Sequence, residues 1–203
     1  MLESTASIEL LELQSEVGFF FGYGRGPNFG DQEWTEDKQR AIDSCINSGL
    51  HKFYFPPLLP GERSAHEWSF LKPISVLTLE AAAKSILLPN DFGGLIGELV
   101  LATPSGQRAE PVPVVGIGVI ERQRHLGPDQ TGQPMMAAIQ PRKGTSHDRG
   151  QHFELAFYPI ADAAYTFKVA YTLAANVLTA QHPYPLGGPV HRETILESCL
   201  AVA

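Results

Sequence analysis

From Trp68 onward, proline and glycine cut the sequence into short apolar runs. Trp68, Phe70, Ile74, Val76, Leu77 and Leu79 come first, followed by 86–88, 95–101 and 112–120. Runs this short, closed by turn-forming residues, read as β-strands joined by tight turns. The 19 Gly and 16 Pro among 203 residues support that reading. Their surplus over an average chain predicts many turns without reaching the composition of a disordered one. The most legible strands lie late in the chain. Phe153, Leu155 and Phe157 alternate up to Pro159, a turn at Asp162 follows, and Tyr165, Phe167, Val169 and Tyr171 alternate opposite Thr166, Lys168 and Ala170. The pattern predicts a hairpin with one nearly aromatic face, and such a face must be buried.

Both ends of the chain read as helix. Between 4 and 21, Ile8, Leu10, Leu11, Leu13 and Val17 recur at helical spacing, with Ser4 or Ser7 as N-cap and Gly22, Gly24, Gly26 and Gly30 beyond. Thr35 announces a second helix, since Glu36 and Asp37 suit the positive end of a helix dipole. Its stripe of Ile42, Cys45, Ile46, Leu50 and Phe53 carries it through Gly49 to about Tyr54, where Pro56-Pro57 forbids continuation. A third helix follows Pro189 at N1, with Ile195, Leu196, Cys199 and Leu200 on adjoining faces. Stripes this narrow do not hold helices alone, so the terminal helices are expected to pack on one another. The expected fold is α+β: a small helical bundle from 1–57 and 186–203, with an antiparallel β domain at 58–185 inserted. The glycine run at 22–30 and the polar stretch at 142–151 are expected to be mobile loops.

Charge narrows the partners. The chain carries 15 Lys+Arg against 22 Asp+Glu, a formal charge of −7, opposite in sign to a protein that grips nucleic acid by its phosphates. Cys45 and Cys199 form neither a C-x-x-C pair nor a disulfide framework and read as small buried hydrophobes on helices. The first twelve residues hold Glu3, Glu9 and Glu12 but no Lys or Arg, so no secretory signal is expected. The most apolar windows, 94–102 and 112–120, are about half the length that spans a bilayer, so no membrane partner is expected and a cytosolic origin is the default.

Catalytic signatures are absent or broken. His66-Glu67 begins like the zinc motif H-E-x-x-H, but Phe70 stands where the second histidine belongs. No G-x-S-x-G elbow occurs. The run Gly22-Tyr23-Gly24-Arg25-Gly26 follows a helix rather than a strand, and no Gly-Lys-Ser/Thr closes it. His147 and His152 alone among the seven histidines lie close in sequence beside an acid, without a third ligand. Arg142-Lys143, with Arg149 nearby, reads as a solvated loop tip. These residues predict a non-enzyme with no catalytic residue, metal or cofactor.

Several stretches carry a resemblance. They are Leu50-His51-Lys52-Phe53-Tyr54-Phe55-Pro56-Pro57, Trp68-Ser69-Phe70-Leu71, Leu87-Leu88-Pro89-Asn90-Asp91-Phe92-Gly93-Gly94 and Ile120-Glu121-Arg122-Gln123-Arg124. Further on come Phe157-Tyr158-Pro159-Ile160-Ala161-Asp162-Ala163-Ala164-Tyr165, then Tyr184-Pro185-Leu186-Gly187-Gly188 and Glu193-Thr194-Ile195-Leu196-Glu197. In order and spacing they resemble the head-tail adaptor (connector, or head-completion) proteins of tailed bacteriophages and gene transfer agents. The resemblance implies a structural protein of the virion neck, made in the host cytoplasm. Its copies would form a homo-oligomeric ring of about a dozen below the portal protein, meeting a tail or stopper protein on the other side. DNA would pass through that ring without specific binding. Carried over onto this chain, the segment that reaches the portal gives Glu197, Leu200, Val202 and Ala203 as docking candidates.

Three other readings compete. A neighbouring neck protein, such as a stopper or terminator, would share the same setting. A β-sandwich binding module for a carbohydrate or host receptor would need its aromatic residues exposed on one face. A hydrolase would have to draw on His66, His147 or His152.

Overall fold

Helices and antiparallel sheets share this α+β chain, whose structure, a computed structural model, describes residues 4, 6–102, 111–142 and 151–203. The helices are α1 (Leu10–Phe20), α2 (Glu36–Tyr54), α3 (Ile117–Leu126) and α4 (Arg192–Leu200). The chain divides into two compact units, one formed by Met1–Leu71 with Ala175–Ala203 and the other by Lys72–Ala174. The inserted unit is thus shorter at both ends than the expected 58–185. The reason lies in side chains that bind the flanking segments to helices. Trp68 Nε1 donates to the Phe53 carbonyl at 2.6 Å, and the Trp68 and Phe70 rings pack on Phe53. On the other flank, the Leu10 N–H donates to the Pro183 carbonyl at 2.8 Å and the Leu186 N–H to the Tyr54 hydroxyl at 2.9 Å.

In the helical unit α1, α2 and α4 pack against one another. Helix α1 begins at Leu10, later than either expected serine cap. Ser4 and Ser7 close a turn of their own, Ser7 N–H to Ser4 carbonyl at 3.0 Å, while Glu9 takes the N-cap and its N–H donates to Glu12 Oε2 at 3.4 Å. Helix α2 follows the sequence closely. Thr35 occupies its N-cap, and Ile42, Cys45, Ile46, Leu50 and Phe53 are buried. Gly49 is what lets α4 approach, because a Cβ there would lie 2.5 Å from the Cys199 Cα and 2.8 Å from its nitrogen. Ser198 Oγ uses that closeness, donating to the Gly49 carbonyl at 2.8 Å.

The glycine run at 22–30, expected to be mobile, is tied down by contacts. The Trp34 indole donates to the Tyr23 carbonyl at 3.2 Å, and its ring lies where side chains on Gly18 or Gly26 would have to go. Asp31 Oδ2 accepts from the Arg25 N–H at 2.6 Å, and Arg25 in turn pairs with Glu16 and lies over the Phe19 ring. Most of the other expected mobile loop, 143–150, lies outside the described residues.

The second unit contains two antiparallel sheets. The first has the order β1 (Ile74–Leu79), β10 (Tyr165–Leu173), β4 (Leu99–Leu101), β5 (Pro111–Val112), with β3 (Phe92–Leu95) also on β10. The second has the order β2 (Ser85–Leu87), β8 (Phe153–Tyr158), β7 (Met136–Pro141). Two short strands, β6 (Thr131–Gly132) and β9 (Ile160–Ala161), pair in parallel. The hairpin expected from 153–171 does not form, because β8 and β10 belong to different sheets. Strand β8 pairs with β2 and β7, while β10 is long enough to take β1 on one side and β3 and β4 on the other. The aromatic face is nonetheless buried. Phe157 and Phe167 stack at 4.8 Å with no exposure, within one core built from residues of both sheets.

The stretch 112–120, expected to be a strand, contributes only Val112 to β5 before α3 takes over. Its continuation is polar: Ile120 is the one buried residue of α3, and Glu121 pairs with Arg124 one turn on at 3.0 Å. Arg124 also donates to the carbonyls of Lys84 and Phe157, at 3.0 and 3.1 Å, which seats the helix on β8.

Candidate interaction surfaces

The four predicted docking residues lie at the end of α4 and just past it. Glu197 and Ala203 are exposed, while Leu200 and Val202 are half-buried. The main chain curls back over the helix end here: Ala201 N–H donates to the Glu197 carbonyl at 2.8 Å, and the Val202 and Ala203 N–H groups both reach the Cys199 carbonyl at 3.2 Å. Cys199 is buried against α2, so this short stretch is anchored from one side and open to solvent on the other. Among the described residues Glu197 makes no ion pair, which leaves its carboxylate available to a partner.

Charge is divided sharply between the units. The helical unit holds six Lys+Arg against thirteen Asp+Glu, a formal −7, and the sheet unit holds nine of each, a formal zero. The whole excess therefore belongs to the unit built on α1, α2 and α4.

The sheet unit carries a surface of the opposite character. Alternation along β1 turns Leu77 and Leu79 toward the core and leaves Ile74 and Val76 outward, 69% and 60% exposed. The register sets Ile74 opposite Ala170, Val76 opposite Lys168, Thr78 opposite Thr166, and Lys168 opposite Val100 of β4. The result is a β-branched outer face with Lys168 as its charge, and Lys168 has no ion-pair partner among the described residues. Sequence reasoning placed Ile74 and Val76 in a strand without assigning them to either of its faces. The alternation Ile74, Val76, Thr78 against Ser75, Leu77, Leu79 was the signal that could have separated the two faces.

The chemistry of the remaining candidates is quiet. His66 packs edge-on against Trp68 at 4.3 Å, in an aromatic cluster that also holds Phe53, Phe70 and His191. His152 is half-buried just before β8, and His147, Lys143 and Arg149 lie outside the described residues. Among the described residues no three of His, Cys, Asp and Glu converge to hold a metal ion, and no helix is long and apolar enough to cross a membrane. Burial pushes the Cys199 thiol up to about 12, with Cys45 adding to the rise, and burial also raises Cys45 against the pull of Lys52. Both thiols are therefore protonated near neutrality and are poor nucleophiles. The Tyr54 phenol is pushed up to about 12 by burial, although the Leu186 N–H it accepts pulls the other way.

These raised values make a pH prediction. Cys199 and Tyr54 are neutral when protonated, and their ordinary values are 9.0 and 10.0. A folded value above the unfolded one stabilises fully below the unfolded value and is lost as pH rises through the folded one. Denaturant midpoints should hence be flat from pH 7 to 8.5 and fall progressively from about 9 toward 12. Cys199→Ala should flatten the first part of that fall; an identical slope in the variant contradicts the assignment.

No protein-family model matches this sequence, and no curated protein is significantly similar to it.

Proposed function

We propose that this protein is a structural adaptor of a virion neck, a ring subunit that joins the portal to the tail and prolongs the DNA channel. The segregation of charge carries this reading. DNA that must slide through a ring is better served by a wall that repels phosphate than by one that holds it. A unit of −7 repeated about a dozen times around a pore forms such a wall, acting within a Debye length of about 8 Å at physiological salt. The sheet unit carries no net charge to repel its copies, and its Ile74, Val76 and Val100 face supplies apolar area for subunit contact. A closed ring needs two different surfaces on each subunit, and this chain has chemically distinct ones on its two units. Glu197, Leu200, Val202 and Ala203 are the proposed portal contacts within that arrangement, and the terminal helices form the proposed bundle.

The carbohydrate-binding alternative calls for exposed aromatic faces. Phe157, Phe167 and Tyr171 are buried, which favours the adaptor reading over it.

Native mass spectrometry of the chain, alone and mixed with its cognate portal rings, tests the proposal. A closed ring of about a dozen copies, or its capture by portal, is expected. A monomer that persists at every concentration and ignores portal overturns the adaptor. The channel is tested separately by electrophoretic mobility of duplex DNA in low salt. No retardation is expected, and tight binding sinks the repelling wall.

A further inference from the structure

Within the helical unit, a groove of about 550 Å³ opens between α1, α2 and the segment around 178–183. That volume is in the range of binding sites rather than of packing defects. Leu10, Leu11, Leu178 and Pro183 give it apolar walls, and the Leu10 N–H to Pro183 carbonyl bond fixes the distance between two of them. Asp43 is the polar group on its α2 side. Gln14 Nε2 and Gln39 Nε2 both donate to Asp43 Oδ1, at 2.8 and 3.1 Å, so two carboxamides from different helices orient one carboxylate. Asp43 has no ion-pair partner among the described residues. Its other oxygen is left for an incoming donor.

Two further hollows lie along α2. Asn47 lines the groove and both of these hollows, one shared with Tyr54 and Val177 and the other with Ser44 and Lys52, while His51 lines both hollows. Taken together, the three make a furrow with Glu9 and Asp43 at one end and His51 and Lys52 at the other, joined at Asn47. Eight residues of helix separate Asp43 from His51, about 12 Å of axis. An extended chain covers that distance in about four residues. Between the two ends, the Asn47 carboxamide offers one donor side and one acceptor side, the pair that a peptide backbone group presents in return.

We propose that this furrow binds an extended peptide segment of a partner protein. The segment places a Lys or Arg on Asp43, an apolar side chain between Leu11 and Leu178, and a carboxylate toward Lys52. Charge complementarity at both ends selects this occupant over a purely apolar one, and the open, elongated shape suits a strand of chain. The inference stands apart from the ring reading.

The test uses the full chain against a bead library of capped random hexapeptides, followed by titration of the enriched sequences. Enrichment of Lys or Arg three or four positions from Asp or Glu, with an apolar residue between, is expected. Asp43→Asn keeps the oxygen that the two glutamines bind while removing the charge, and should weaken binding about tenfold. Ala180→Trp fills the exposed rim of the groove without touching the core and should abolish binding with no change in melting temperature. No enrichment, or peptides that bind both variants as tightly as the parent, overturns the proposal. The native mass of the parent chain is recorded in the same samples, so failure of the furrow and failure to form a ring are read separately.

Discussion

Phe167→Ala should cost the sheet unit about 3 to 5 kcal/mol, the usual loss for truncating a fully buried phenylalanine. Phe167 has no exposure, and its ring stacks on Phe157 of the other sheet at 4.8 Å. Among the described residues these two are the largest side chains completely enclosed, and in a close-packed interior the space left by truncation is only partly refilled. Phe157→Ala should cost a similar amount. The double variant should lose less than the sum, by about 0.5 to 1.5 kcal/mol, the coupling of an aromatic pair. Chemical denaturation followed by near-ultraviolet circular dichroism measures all three. A loss under about 1 kcal/mol for Phe167→Ala, or strict additivity, contradicts the meeting of the two sheets through this pair.

Gly49→Ala should destabilise the helical unit by about 1 to 3 kcal/mol, the cost of overpacking. The sign makes the experiment informative, since glycine to alanine in an ordinary helix interior stabilises by about 1 kcal/mol. Here the new methyl group would meet the Cys199 Cα at 2.5 Å and its nitrogen at 2.8 Å, so α4 must retreat. That retreat also loosens the Ser198 hydroxyl from the Gly49 carbonyl. The obstruction is main chain first and thiol second, so Cys199→Ala should not restore the loss. Full rescue by that second change would place the clash at the sulfur, and a more stable Gly49→Ala variant would remove the close crossing altogether.

The legible parts of this fold share a physical cause. Helix α2 spans the predicted limits because its start, its stripe and its stop are all local: Thr35 with Glu36 and Asp37, the spacing of Ile42 to Phe53, and Pro56-Pro57. Burial of the Phe157 and Phe167 faces was equally readable, since alternation reports which side is apolar. Alternation does not report which strand lies alongside, and the expected hairpin failed on that point. The helix at 117–126 was missed because its first residues, Ile117, Val119 and Ile120, extend an apolar run from β5, and the helical evidence lies only in the polar residues after them. Trp34 shows the converse case. A glycine run followed by one tryptophan carries no local sign that the ring will fold back onto it.

The candidate surfaces divide in the same way. The residues at the end of α4 were reached through resemblance alone; Glu197 and Ala203 are exposed, and Leu200 and Val202 half-buried. The furrow was out of reach, because Leu10, Asp43 and Leu178 come from three distant stretches whose meeting depends on how helices pack.

The sequence by itself determined the helix-forming ends, the strand-rich centre, the buried aromatic faces and the total charge of −7. Each follows from composition or from periodicities of 2 and 3.6 residues, which are written into neighbouring positions. Tertiary structure alone decided that β8 and β10 lie in separate sheets, that 58–71 and 175–185 belong with the helices, and that the whole negative excess falls in one unit. Those outcomes rest on contacts between residues far apart in the chain, where the gain depends on the fit of two surfaces that neither stretch specifies alone.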